Sequence, residues 1–118
     1  MWIKGAARLK TEMKESAYIV LLITTANAAE AQRIAQRLLE QRKAACVNIA
    51  GVDSLFWWHD KLNSAHESLM VVKTKAQLLP EIVNLVKKEH SYTVPEIIAL
   101  PVIGGNPDYL AWIDKEVK

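Results

Sequence analysis

Eight consecutive residues, Tyr18-Ile-Val-Leu-Leu-Ile-Thr-Thr25, form a β-rich run that is apolar on both of its alternating sets. A strand of that kind is covered on both faces or lies centrally in a sheet. The next segment changes period. Asn27-Ala-Ala-Glu30 predicts a capping-box-like helix start, with an Asn side chain for the free amides and an acid in the first turn. Ala31, Ile34, Ala35, Leu38 and Leu39 then recur at helical spacing, with Arg33, Gln36, Arg37 and Glu40 between them. That is an amphipathic helix laid against the sheet. It ends near Arg42 and Lys43, where positive charge suits the carbonyl end.

Strand character resumes over residues 44–49 and is interrupted by Gly51-Val52-Asp53. A Gly inside a strand pattern suggests a bulge as readily as a turn. The β propensity of Ser54-Leu-Phe-Trp-Trp58 favours one long bent strand over residues 45–61. Leu62-Asn-Ser64 is the predicted hairpin turn, and the return strand runs over residues 66–74. A second helix carries Leu78, Ile82, Leu85 and Val86. Thr74 and Gln77 suit a capping box, but Pro80 belongs in the first turn and moves the start to Ala76 or beyond. The helix runs out at His90-Ser91, before Pro95. Residues 96–103 read as a fourth strand, with Pro101 placing its far half at an edge or bulge. After Gly104-Gly105, Asn106 as cap and Pro107 begin a last helix bearing Leu110, Ile113 and Val117. The order is β-α-β-β-α-β plus a C-terminal helix. The predicted class is α+β, a ferredoxin-like split β-α-β with an antiparallel sheet. Right-handed crossovers put both long helices on one face.

A chain of 118 residues suits one such domain over residues 17–118. Residues 1–16 alternate basic, small and apolar side chains without a committed period and read as a loosely ordered extension. They also account for the whole net charge of +2, so the remainder shows no basic face and nucleic acid is not an expected partner. No run has the length of a membrane span or the pattern of a secretory signal, so the expected location is cytoplasmic, with no membrane partner. The one cysteine, Cys46, rules out an intrachain disulfide, while a site shared between subunits stays open.

Trp57 and Trp58 are adjacent in a predicted strand and point to opposite faces. One can enter the core of a lone domain; the other cannot. Burying an indole is worth about 3 kcal/mol or more. With Phe56, Tyr109 and Trp112 adding to the surplus, the sequence predicts self-association.

Several segments resemble a known family: Ala44-Ala-Cys-Val-Asn-Ile49, Ser54-Leu-Phe-Trp-Trp58, Glu67, Lys73-Thr74, His90-Ser-Tyr-Thr-Val-Pro-Glu96 and Tyr109-Leu-Ala-Trp-Ile113. In this order and spacing they are similar to the CutA divalent-cation-tolerance proteins. The resemblance implies a homotrimer of ferredoxin-like subunits without established catalytic activity, linked to tolerance of copper and other divalent metals, with Cu(II) binding in some members. Two positions depart from the pattern. Lys43 stands where Leu is usual, and Ser91 where Pro is usual; Ser91 is expected to loosen the turn after His90.

The candidate metal ligands are Cys46, Glu67 and His90, for Cu(II) or another divalent cation. Cys46 is a soft donor, against the plain reading of a small core side chain. His90 closes a helix at its negative end, where a cationic ring is favourable; it is a ligand or simply a terminus residue. Glu67 is an exposed strand charge or shares a cleft with His90, beside Tyr92 and Glu96. His59 and His66 would face each other if the hairpin centred on Leu62-Asn63, a weak two-ligand site. Gly104-Gly105-Asn106 before a helix could receive an anion but lacks a phosphate-loop pattern. No catalytic constellation is recognisable, so neither an enzyme nor an organic cofactor is expected. The rival readings are a trimeric small-molecule sensor like the PII signalling proteins, and a scaffold.

Overall fold

The computed structural model describes residues 16–118. The expected extension lies outside them except for Ser16, whose hydroxyl is 2.8 Å from Tyr18 O and 2.7 Å from Val102 O. In chain order the elements are β1 (Tyr18–Thr25), α1 (Ala28–Glu40), β2 (Cys46–Trp58), β3 (Lys61–Lys75), a 3-10 turn (Ala76–Leu78), α2 (Leu79–Glu89), β4 (Ile97–Pro101) and α3 (Pro107–Glu116). The sheet is antiparallel throughout, in the order β2-β3-β1-β4. This is the ferredoxin-like plan with one added helix.

β1 lies between β3 and β4, as its two apolar sets require. Leu21 and Ile23 of β1 and Met70 and Val72 of β3 are sealed with Ile34 and Leu38 of α1 and Ile82 and Val86 of α2. Both long helices therefore cover one face, and each sealed side chain contributes about 1.5–3 kcal/mol. The alternate set, including Val20, Leu22, Val71, Ile98 and Leu100, points the other way. Nothing among the described residues covers Ile98 and Leu100, which are exposed. Pro101 ends β4 on the outer strand, where a missing amide costs no ladder bond.

The helix ends follow local chemistry. Asn27 Oδ1 accepts the Glu30 amide at 2.9 Å and starts α1. At the other end Lys43 N donates to Leu38 O and Arg42 N to Leu39 O, a Schellman closure with Arg42 at φ 57°. The Thr74–Gln77 capping box does not form, because the Thr74 hydroxyl donates to Lys43 O instead. Pro80 occupies the first turn of α2. Asn106 caps α3 by accepting from Asp108 N at 3.0 Å, with Pro107 as the first helical residue.

The β2–β3 hairpin corrects the sequence reading in three ways. One register runs without interruption from Cys46–Lys73 to Trp58–Lys61, so Gly51 makes no bulge and simply pairs with Ser68. Its missing side chain leaves room for the His66 ring, 3.3 Å from where a Cβ would stand. The turn is His59-Asp60, both at positive φ (52° and 60°), rather than Leu62-Asn-Ser64. Positive φ at both central residues is the type I′ geometry that matches strand twist. His and Asp are among the side chains that tolerate it. Finally, β1 accompanies β3 only over residues 68–75, so residues 52–67 form a two-stranded arm beyond the sheet. Trp57 and Trp58 sit on it 70% and 50% exposed. Neither indole enters the core, because the arm has outrun the helices.

Candidate functional site

Where the arm leaves the sheet, the segment linking α2 to β4 folds back against it. Pro95 stops the helix from continuing, and His90 already has extended backbone (φ −85°, ψ 140°). The His90 ring is fully buried. Its Nε2 lies 2.7 Å from Thr24 O, an acceptor, so Nε2 carries the proton and donates. Its Nδ1 accepts the Tyr92 amide at 3.0 Å. Together these partners fix the neutral tautomer and use both ring nitrogens.

Tyr92 leans against that ring, with centroids 4.8 Å apart, and its hydroxyl donates to Glu67 Oε2 at 2.8 Å. Burial first, then the Glu67 carboxylate, push the Tyr92 phenol up to about 12. Glu67 is 7% exposed, so it is not the solvated strand charge of the plain reading. It shares a cleft with Tyr92, Asp53, Phe56, Trp58 and Glu96, about 870 Å³ in volume, between the arm and the 90–96 segment. The expected association of Glu67 with the His90 segment is thus present, with Tyr92 as the link.

Glu30 organises this corner, and sequence reasoning saw it only as a first-turn acid. Its buried carboxylate accepts Ala26 N at 3.1 Å through Oε1 and Ser91 N at 3.0 Å through Oε2. His90 Nδ1 stands 4.0 Å away. Burial pushes the Glu30 carboxyl up. Hydrogen bonds from Ser91 and Ala26 outweigh it and leave the group below its ordinary value. The contact spans 61 residues, and its one sequence signal is the third position of a capped helix.

Cys46 is elsewhere. It pairs with Lys73, whose Nζ is 4.0 Å from the thiol, and it is half-buried near Tyr109. Lys73 and Glu67 are six positions apart on β3, about 20 Å at strand spacing. His66 faces Asp53, with Nδ1 2.9 Å from Oδ1, while His59 is in the turn, so the proposed cross-strand pair of histidines does not exist. Asn106 spends its side-chain oxygen on its own helix cap.

The sequence profile of the CutA1 divalent ion tolerance protein matches residues 19–116. The chain belongs to the CutA1 family. It is 46% identical over 98 residues to the divalent-cation tolerance protein CutA of Archaeoglobus fulgidus, covering 83% of this chain and 96% of that protein. It is 37% identical to the chloroplastic CutA 1 of Oryza sativa subsp. japonica, covering 97% of this chain and 65% of that one. The solved CutA of A. fulgidus, described as periplasmic, superposes with a TM-score of 0.84 at 44% identity over 86% of this chain and 99% of its own. Cut A1 of Thermus thermophilus gives 0.83 at 41% identity over 86% and 99%.

Against CutA1 expectations, the turn at Ser91 is tied rather than loosened. A proline there has no amide to give Glu30; Ser91 has one and uses it. Within one chain the three candidate ligands do not fit a single metal ion. Cys46 is about 20 Å from Glu67 along the sheet, and His90 has no free ring nitrogen. Among the described residues no group of three or more His, Cys, Asp or Glu side chains is placed to hold a metal.

Proposed function

We propose that this CutA1-family chain assembles as a homotrimer in the cytoplasm and serves tolerance of divalent cations by binding rather than by catalysis. The observation that carries the reading is uncovered apolar surface on a defined scaffold. Leu55, Trp57 and Leu62 are bare on the arm, and Ile98 and Leu100 on the open sheet face. A two-stranded ribbon is marginal in water by itself, so a second copy supplies what the arm lacks. The trimeric number follows the family resemblance. Cu(II) is the cation to test first. Cys46 is its donor in this proposal, because each copy carries one half-buried thiol and a soft sulfur donor suits copper. Glu67 and His90 belong to the separate polar cleft.

Copper titration of the wild type against Cys46→Ser, Glu67→Ala and His90→Ala tests the assignment. Loss of affinity in Cys46→Ser alone is the expected result. Unchanged affinity in all three removes every named ligand. The cytoplasmic placement is tested by fractionating native cells, since one relative is described as periplasmic and another as chloroplastic. A second reading, a small-molecule sensor, is favoured by the cleft of about 870 Å³, which is of ligand-binding size.

A further inference from the structure

The cleft between the arm and the 90–96 segment has a composition that selects among ligands. Two carboxylates line it, Glu67 and Glu96, with the aromatic rings of Phe56, Trp58 and Tyr92 and no Lys, Arg or His among the described residues; Asp53 alternates to the other face of β2, where its carboxylate meets His66. Glu67 sits deep, more than nine-tenths buried, with Oε2 committed to the Tyr92 hydroxyl. Its Oε1 accepts no hydrogen bond from any described residue. No fully buried side-chain oxygen among those residues lacks a partner, so Oε1 is not a sealed orphan, and the residue that bears it lines the cleft. A carboxylate oxygen with little access to bulk water and no partner among the described residues suits a cationic hydrogen-bond donor.

Two carboxylates and no cationic side chain in the described lining disfavour an anion. A hydrated divalent metal needs several converging oxygen ligands, and among the described residues no such group of side chains is placed here. An organic ammonium needs less. One N–H bonds to Oε1, and the aromatic faces attract the positive charge and its methylene stem. Carboxylates at both the floor and the rim suit a chain with more than one nitrogen: Glu67 is buried, while Glu96 is exposed. We propose that the cleft is a binding site for an aliphatic diamine or polyamine, with Glu67 receiving one ammonium. The named lining residues all come from one chain, and Cys46 is not among them.

The test is calorimetric titration of the full-length protein with spermidine at low ionic strength, with magnesium chloride of matched ionic strength as the control. The expected result is saturable uptake of one spermidine per chain that magnesium does not reproduce. Glu67→Gln should weaken it about tenfold or more, and Phe56→Ala about threefold. The mass of each variant is read in parallel, which separates loss of the cleft from loss of assembly. Should Glu67→Gln misfold, Phe56→Ala and the rim variant Glu96→Gln must still weaken binding. No saturable uptake by the wild type overturns the proposal. So does equal binding of magnesium, or spermidine affinity that none of the variants changes.

Discussion

Ser91→Pro sets two effects of known sign against each other. Proline at this position removes the amide that donates to Glu30 Oε2 at 3.0 Å. A hydrogen bond to a buried charged group is worth about 1.5–3 kcal/mol, and Glu30 is buried. In the other direction, proline restricts the unfolded chain and returns about 0.4–1 kcal/mol where the fold accepts it. His90 does accept a following proline, since its ψ of 140° is the conformation such a residue takes. Loss of the hydrogen bond outweighs the gain in chain stiffness, so the substitution should destabilise by about 1–2 kcal/mol. With a urea slope of about 2 kcal/mol/M, the midpoint falls by about 0.5–1 M at fixed protein concentration. The same change in a Glu30→Gln background meets only a neutral acceptor, so it should be near neutral or mildly stabilising. Urea unfolding of the four proteins of that cycle, followed by tryptophan fluorescence, reads both numbers. A Ser91→Pro protein more stable than wild type refutes the reasoning, as does a cycle without coupling.

Other perturbations read other parts of the structure. His90→Ala should cost about 2–4 kcal/mol in urea unfolding, because Thr24 O and the Tyr92 amide lose a buried partner, while copper affinity stays unchanged. All three tyrosines, Tyr18, Tyr92 and Tyr109, have phenols raised above the ordinary 10.0, so absorbance titration of the native protein should show no phenolate step at that pH. For Tyr92 the raised folded value means its stabilisation is complete below pH 10 and is lost as pH rises through about 12. Tyr92→Phe should flatten that alkaline fall. Glu30 has the opposite sign: its depressed folded value gives stability above the ordinary carboxyl value of 4.5 that disappears on acidification, and Glu30→Gln should remove that acid limb. Trp57→Ser with Leu62→Ser should leave the core and far-ultraviolet spectrum intact and weaken self-association, read by sedimentation.

The order of elements was legible because each depends on local pattern. The run at Tyr18–Thr25, the stripe from Ala31 to Leu38, and the Asn106-Pro107 start all carry their own signals. The hairpin misled for a physical reason. His59-Asp60 has no glycine to announce a positive-φ turn, whereas Leu62-Asn-Ser64 looks like one, and only pairing along the whole ladder from Cys46 settles the register. Placing an indole in the core failed because alternation tells which face a side chain takes and not whether anything lies over that face. In the site, the closeness of Glu67 to the His90 segment came from resemblance and has a physical basis in the Tyr92 bridge. Glu30 stayed hidden, since a partner 61 residues away leaves no mark on a local pattern. Cys46 was grouped with Glu67 and His90 by chemistry alone; strand spacing separates them.

The open sheet face and the bare arm make assembly the premise for the rest of the functional reading. Sedimentation equilibrium of the full-length protein at micromolar concentration addresses it without labels or variants. Trimeric assembly predicts a single species of three times the 13.3 kDa chain mass. A stable species at the mass of one chain, with its tryptophan emission at the wavelength of fully hydrated indole, contradicts it.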